Sequence, residues 1–300
     1  MNLTRYEYEV LCFFVKRGNG VYAVRSISDA ACLSGTMVEK TIEDLKRKEL
    51  LVLTEDGFVV TKKGLNSLEP YRVKRAIIFA AGFGLRMMPA TKDKPKPMVE
   101  VNGTRIIDTL LNALTKAGVQ EIVIVGGYKF EKLNAILKTY PGIQLIENKE
   151  YAVTNNISSA IAALDWIQGG CYICEADLYI TNPGIIEKYQ YASNILGAYS
   201  LETDDWSYKM KDGCVSDYQK GNTFCYNYYG ISYWTAEDCE KLQKDFSDVY
   251  HSPGGTDFFW EFIPFVLKKE HYKVEIRPCR KQDIMEIDNY YELAQLDPKY

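Results

Sequence analysis

Residues 75–98, RAIIFAAGFGLRMMPATKDKPKPM, constrain the fold of this chain more than any other stretch. The apolar run at 76–81 reads as a buried strand, and it empties directly into a glycine loop, Gly82-Phe83-Gly84. Behind the glycines come Arg86, Lys92, Lys94 and Lys96 against a single acid, Asp93. Glycines let backbone amides approach a ligand closely, and successive amides in a turn make an anion cradle. A strand, a cradle and fixed cations in that order suit a triphosphate.

From residue 106 onward the chain alternates helix and strand. Ile106, Ile107, Leu110, Leu111 and Leu114 form a helical stripe that stops near Gly118. EIVIV at 121–125 is a short buried strand ending in Gly126-Gly127-Tyr128, 130–137 reads as helix, and 143–147 as the next strand after the Pro141-Gly142 break. Such β-α-β units build parallel sheets with right-handed crossovers, and ligands gather at the carboxyl ends of the strands. The opening loop, residues 126–128 and Glu147 are therefore expected on one rim. Ile157, Ile161 and Leu164 start another helix, which places Asn155, Asn156 and Ser158 at its N-terminus. Their side chains either cap that helix or meet a base, a ribose or a phosphate. CYICEA at 171–176 is a strand with Asp177 at its carboxyl end, well placed to hold Mg²⁺ beside a polyanion loop.

The remainder is richer in aromatics and turns. Strands are expected at 195–201, 206–210, 214–219 and 224–234, separated by Asp212-Gly213 and Gly221-Asn222, as an antiparallel meander extending the sheet. Helices are expected from Thr235 and over 257–268, a strand at 273–277, and a last strand closing on Met285-Glu286-Ile287-Asp288.

Residues 1–70 read as a separate small domain. Tyr6, Val10, Phe13 and Phe14 give one amphipathic helix, 27–32 a second, and Val38, Ile42 and Leu45 a third. A hairpin is expected over 50–54 and 58–61 around Glu55-Asp56-Gly57. Three helices and a two-stranded hairpin resemble the winged helix-turn-helix domain of bacterial regulators. The third helix offers Lys40, Lys46, Arg47 and Lys48, yet the segment holds ten Lys/Arg against ten Asp/Glu. Phosphate neutralisation dominates DNA affinity, so two readings stand side by side: DNA binding, or an accessory domain for regulation or homodimer formation.

Bulk composition narrows the class. With 47% hydrophobic and 25% charged residues the chain is an ordinary soluble globular protein, and its net charge of −4 argues against bulk nucleic-acid affinity. No apolar run approaches the ~18 residues needed to span a bilayer, and acids in MNLTRYEYEV argue against a signal peptide. Eight cysteines at scattered spacings point to a reducing cytosol rather than a disulfide framework. Cys171-x-x-Cys174 lacks a second pair, and with only His251 and His271 elsewhere a zinc site is not expected.

Five motifs in order carry a family resemblance: AAGFGLRMMPATKDKPKPMVEVNG, VGGY at 125–128, YAVTNNISS at 151–159, EAD at 175–177 and EIDN at 286–289. Together they resemble the nucleotidyltransferase family that includes the sugar-phosphate nucleotidylyltransferases, and within it the bacterial phosphocholine cytidylyltransferases. The Rossmann dehydrogenase fingerprint does not fit, because Gly82-x-Gly84 lacks the third glycine. The resemblance implies an α/β fold with a mostly parallel, Rossmann-like sheet and an antiparallel extension over 71–300. It implies a nucleotide cradle at Ala81, Gly82, Gly84 and Gly127, with Asn155, Asn156 and Ser159 against the nucleoside or second substrate. Arg86 and Lys96 would hold phosphates, and Asp177 and Asp288 would coordinate Mg²⁺. The implied reaction is attack of a phosphocholine oxygen on the α-phosphorus of CTP, with Asp177, Arg86 and Lys96 as catalytic groups. Trp206, Asp257 and Trp260 supply the aromatic and acidic groups that a choline cage needs, although the choline enzymes carry Tyr where Phe259 stands here. Two alternatives remain: a sugar 1-phosphate or other alcohol phosphate as acceptor, with CTP, UTP or GTP, and a DNA-binding regulator that senses a nucleotide or choline metabolite.

Overall fold

The computed structural model describes residues 2–300, which divide into two compact units. One comprises the residues up to Arg72 together with Tyr189–Tyr191; the other comprises Val73–Lys188 and Ala192–Tyr300.

The first unit holds α1 (Arg5–Arg17), α2 (Val24–Ala31), α3 (Gly35–Arg47), the hairpin β1 (Leu51–Thr54) and β2 (Gly57–Val60), and α4 (Lys62–Leu68). Three of its helices begin on hydroxyl caps, Thr4, Ser34 and Thr61, and Thr4 forms a full capping box with Glu7. Val10, Leu11, Phe14, Ile27, Val38 and Leu45 make its core. The expected stripe on α1 needs one correction: Tyr6 is exposed, and Tyr8 is the buried tyrosine, its ring 5.1 Å from Tyr71 and 5.2 Å from Tyr191. Those two rings widen the buried arc of α1 beyond a single stripe. Of the cations at the end of α3, Lys46 pairs with Glu43, Arg47 with Asp44, and Lys48 with the buried Glu7 at 2.6 Å.

The second unit is built on a seven-stranded sheet. In chain order its elements are β3 (Arg75–Ala80), the short hairpin β4 (Glu100–Val101) and β5 (Thr104–Arg105), α5 (Ile106–Ala117), β6 (Glu121–Gly126), β7 (Gln144–Glu147), α6 (Ile157–Ala162), β8 (Cys171–Glu175) and β9 (Leu178–Ile180). The chain continues through β10 (Asn194–Lys211), β11 (Cys214–Trp234), α7 (Ala236–Tyr250), β12 (Glu275–Pro278), β13 (Ile284–Glu286) and α8 (Tyr290–Leu296). The strand order is β10-β12-β11-β8-β3-β6-β7. β8, β3, β6 and β7 run parallel, and β11 joins β8 antiparallel, so the mostly parallel sheet with an antiparallel extension is as expected. Cores lie on both faces, one around Ile78, Leu110 and Ile124 with α5, the other around Ile77, Phe79 and Trp234 with α6 and α7.

Three expectations change. The meander is one long hairpin: the predicted strands at 195–201 and 206–210 are continuous in β10, and those at 214–219 and 224–234 in β11. Asp212-Gly213 does turn, with both residues at positive φ, but Gly221 sits inside β11 opposite an irregular register at Thr203 and Trp206. A bulge absorbs glycine's left-handed conformation without ending the pairing. The expected helix over 257–268 is instead a short 3₁₀ turn and a π-helical segment, Ile263–Leu267. Residues Phe130–Lys138 wind as a 3₁₀ helix. Cys171 and Cys174 point into opposite cores of the sheet and cannot share a metal. Among the described residues no helix is long and apolar enough to cross a membrane.

Candidate active site

β3 delivers the glycine loop to the carboxyl edge of the sheet, and β8, its parallel neighbour, delivers Asp177 to the same edge. Gly84 adopts φ +63, and a Cβ there would stand 3.1 Å from Thr91 and 3.2 Å from Lys96. The missing side chain is what lets the loop close over the turn that carries Lys96. A small antiparallel pair completes the edge: β13 lies against β9 with Glu286 opposite Leu178, which brings Asp288 beside Asp177 from more than a hundred residues away.

The result is a cavity of about 440 Å³. Its walls include Ala81, Gly82, Gly84, Arg86, Lys96, Asn155, Asn156, Ser159, Asp177 and Asp288. Lys96 Nζ bridges Asp177 Oδ2 at 2.9 Å and Asp288 Oδ1 at 3.0 Å, and an Arg86 guanidinium nitrogen stands 3.0 Å from Asp288 Oδ2. Burial works against the Lys96 charge, but Asp177 and Asp288 outweigh it and its pKa is raised. Lys96 is therefore a fixed ammonium at neutral pH.

Oxygens of Asp177, Glu286 and Asp288 come within 4.8 Å of one another. Burial, then repulsion from Asp177 and Asp288, pushes Glu286 up to about 9. Asp177 Oδ1 is buried and finds no hydrogen-bond partner among the described residues. Three converging carboxylates, one with an orphaned oxygen, fit a hard divalent cation with oxygen ligands. Asp177 and Asp288 are the expected pair; Glu286 is an addition, although it stands two residues before Asp288 at the period that shares a strand face.

A family model for the MobA-like NTP transferase domain matches residues 76–195, which include the glycine loop, Lys96 and Asp177. A 2-aminoethylphosphonate cytidylyltransferase of Lancefieldella rimae is 40% identical over 228 residues, covering 75% of this chain and 92% of that protein. The chain belongs to the cytidylyltransferases of the nucleotidyltransferase family. A choline-phosphate cytidylyltransferase of Streptococcus pneumoniae is 27% identical over 74% of this chain and 96% of its own length. The solved structure of the CTP:phosphocholine cytidylyltransferase from the same organism matches with a TM-score of 0.69, at 27% identity, over 76% of this chain and 99% of that one.

In this cytidylyltransferase several expected site residues sit elsewhere. Gly127 does not line the cavity; its Cβ position is filled by Tyr151, 2.5 Å away, so it serves close packing. Asn155 and Asn156 do line the cavity, but their side chains are partly engaged. Asn155 Nδ2 donates to the Asp257 carbonyl at 3.1 Å, and Asn156 Oδ1 accepts from the Trp260 amide at 2.8 Å. Asn156 precedes α6 without capping it through its side chain. Ser159 and Ser158 accept from the buried Asn148 amide, a residue for which the sequence holds no signal beyond its place after β7.

The expected choline cage does not assemble as a unit. Trp260 is 1% exposed, its ring packed edgewise against Phe79, Trp234 and Phe246, so no ligand meets its face. Its place in the cage is corrected to a place in the core: the expected helix over 257–268 does not form as one, and the Trp260 ring fills the space among Phe79, Trp234 and Phe246. Asp257 is exposed and outside the cavity lining. Trp206 is half-buried, stacked on Tyr218 at 4.9 Å and 6.3 Å from the exposed Phe259.

Proposed function

We propose that this cytidylyltransferase transfers the cytidylyl group of CTP to a short phosphonate or phosphate bearing an amine, with 2-aminoethylphosphonate as the preferred acceptor and pyrophosphate as the leaving product. The carrying observation is the withdrawal of Trp260 into the core, which takes one wall from an aromatic cage and leaves the Trp206–Tyr218 stack. A quaternary ammonium is best held among several rings, whereas a primary ammonium needs acceptor oxygens and one face suffices. The relative at 40% identity supports the same order of preference. Phosphocholine is the second reading, favoured by the Trp206–Tyr218 stack.

An acceptor oxygen, already ionised at neutral pH, attacks the α-phosphorus in line; the new P–O bond forms as the α–β bridge breaks and pyrophosphate leaves. No covalent nucleophile or strong base is required. The glycine-loop amides at Ala81, Gly82 and Gly84 and the cation of Arg86 hold the triphosphate, and Lys96 keeps Asp177 and Asp288 in place while meeting charge that develops on the transferring group. Asp177, Glu286 and Asp288 would hold Mg²⁺, which when bound neutralises phosphate charge.

Residues 1–70 we read as a winged-helix-like accessory module rather than a DNA reader, since Lys46, Arg47 and Lys48 are engaged by acids. Pyrophosphate release is to be measured from each of the four NTPs with Mg²⁺ against 2-aminoethylphosphonate, phosphocholine, phosphoethanolamine and sugar 1-phosphates. CTP with 2-aminoethylphosphonate is expected to be fastest. A sugar 1-phosphate turning over faster than every amine-bearing acceptor overturns the reading.

A further inference from the structure

Asp288 lies just past the end of a strand. The β13–β9 ladder stops at Glu286, opposite Leu178, and α8 begins at Tyr290, so Asp288 sits in the short link between them. Its carboxylate oxygens face Lys96 and Arg86. Its backbone N–H donates to Glu292 Oε2 at 2.7 Å. The other Glu292 oxygen, Oε1, accepts from Asn289 Nδ2 at 2.7 Å, and the Glu292 N–H donates to Asn289 Oδ1 at 3.0 Å. In an ordinary capping box the glutamate at the third helical position reaches back to the amide of the cap residue itself. Here the cap is Asn289, and Glu292 reaches one residue further, to the amide of Asp288.

The helix that carries Glu292 is itself anchored behind the site. Leu293 is fully buried in one apolar cluster with Met87, Val99, Val101 and Ile287. Met87 follows Arg86 in the chain, Val99 closes the turn that carries Lys96, and Ile287 precedes Asp288. The far end of α8 is tied to the β4–β5 hairpin. Asn102 donates its backbone N–H to Asp297 Oδ2 at 2.7 Å and its Nδ2 to the Leu296 carbonyl at 3.0 Å. The Tyr300 hydroxyl donates to the Glu100 carbonyl at 2.9 Å. A residue in a link has soft backbone dihedrals, and a hydrogen bond on its amide removes part of that freedom. A carboxylate acceptor makes the bond stronger than a neutral one would.

We propose that Glu292 is a positioning residue for the metal-holding carboxylate of Asp288. It fixes the Asp288 backbone so that the side chain converges with Asp177 and Glu286, whose oxygens and its own come within 4.8 Å of one another. Glu292 does not line the cavity, so it acts through Asp288 rather than on a substrate. Holding the carboxylate in place before the cation arrives lowers the ordering cost of binding. Removing a group that orients a metal's ligand typically costs about 10–100-fold in metal affinity or activity. The assignment rests on the proposed metal set of Asp177, Glu286 and Asp288 and names the residue that keeps one member of it in register.

The test titrates Mn²⁺ into the full chain and reads the free ion by paramagnetic resonance. Each protein is measured nucleotide-free and saturated with a CTP analogue whose α–β bridge is a methylene. Glu292→Ala and Glu292→Met both remove the acceptor oxygens, and Met keeps length and helix propensity should the smaller residue fail to fold. Each should raise the Mn²⁺ Kd by roughly tenfold or more. Glu292→Gln loses the charge but keeps an amide oxygen for the Asp288 N–H, so its Kd should stay within about threefold of wild type. The Mg²⁺ needed for half-maximal pyrophosphate release should rise in step with the Kd, while acceptor KM at saturating Mg²⁺ stays within about twofold. Wild-type Mn²⁺ affinity in the Ala and Met variants, or a Gln variant as weak as they are, overturns the positioning role alone. Asp288→Asn that binds Mn²⁺ as tightly as wild type, or a wild type that binds none in either state, overturns the metal set and this assignment with it.

Discussion

Replacing Lys96 by Met removes the charge that touches both Asp177 and Asp288. Its Nζ stands 2.9 and 3.0 Å from their oxygens, and the side chain is 12% exposed, so solvent screens it little. Without it, Asp177, Glu286 and Asp288 face one another with oxygens within 4.8 Å. At that separation two unit charges repel by about 3.5 kcal/mol at an effective dielectric of about 20. Removing one partner from a buried ion pair costs on the order of 3–5 kcal/mol, so the metal-free variant should melt at a clearly lower temperature. Added Mg²⁺ should restore more of the melting temperature in the variant than in the wild type, because a divalent cation takes over the neutralisation that Lys96 performs. Activity should not return: losing a group that meets developing charge typically costs about 10²–10³-fold in kcat. The assay is a thermal melt over a Mg²⁺ titration, run beside pyrophosphate release on the same samples. A variant whose activity lies within tenfold of wild type, or whose melting temperature gains no more from Mg²⁺ than the wild type's, refutes the reasoning.

The same geometry sets other expectations. Asp177→Asn should abolish pyrophosphate release with only a small change in melting temperature; near-normal turnover would remove Asp177 from the metal-holding set. Trp260→Ala should destabilise the second unit by about 3–5 kcal/mol, as deletion of a buried aromatic does, while acceptor KM in the folded fraction stays close to wild type. A selective rise in acceptor KM without loss of stability would return Trp260 to the ligand cage. In the first unit, burial works against the Glu7 carboxylate, but the Lys48 ammonium and the Thr4 amide and hydroxyl outweigh it and hold its pKa below the usual 4.5. A depressed folded-state pKa contributes stability that is present above the unfolded value and lost as pH falls through the folded one. Melts of wild type and Glu7→Gln should therefore differ above the ordinary glutamate pKa of about 4.3 and converge as pH falls below it; a difference that does not shrink in acid would contradict this.

The residues legible in sequence are those whose chemistry is local. An apolar run ending in glycines, a cation cluster behind it and an acid at a strand's end are each spelled within a few consecutive positions, and backbone sterics translate them directly into a strand, a turn and an edge. From them, with EIDN far downstream, come the α/β sheet and the nucleotidyl-transfer chemistry. Tertiary structure alone decides which distant groups meet. That Trp260 lies in the core, that Gly221 is a bulge within one long strand, and that Asn156 is held by the Trp260 amide depend on how segments a hundred residues apart cross the sheet. Local periodicity encodes an element's face; only the closing of the chain on itself chooses what that face will touch.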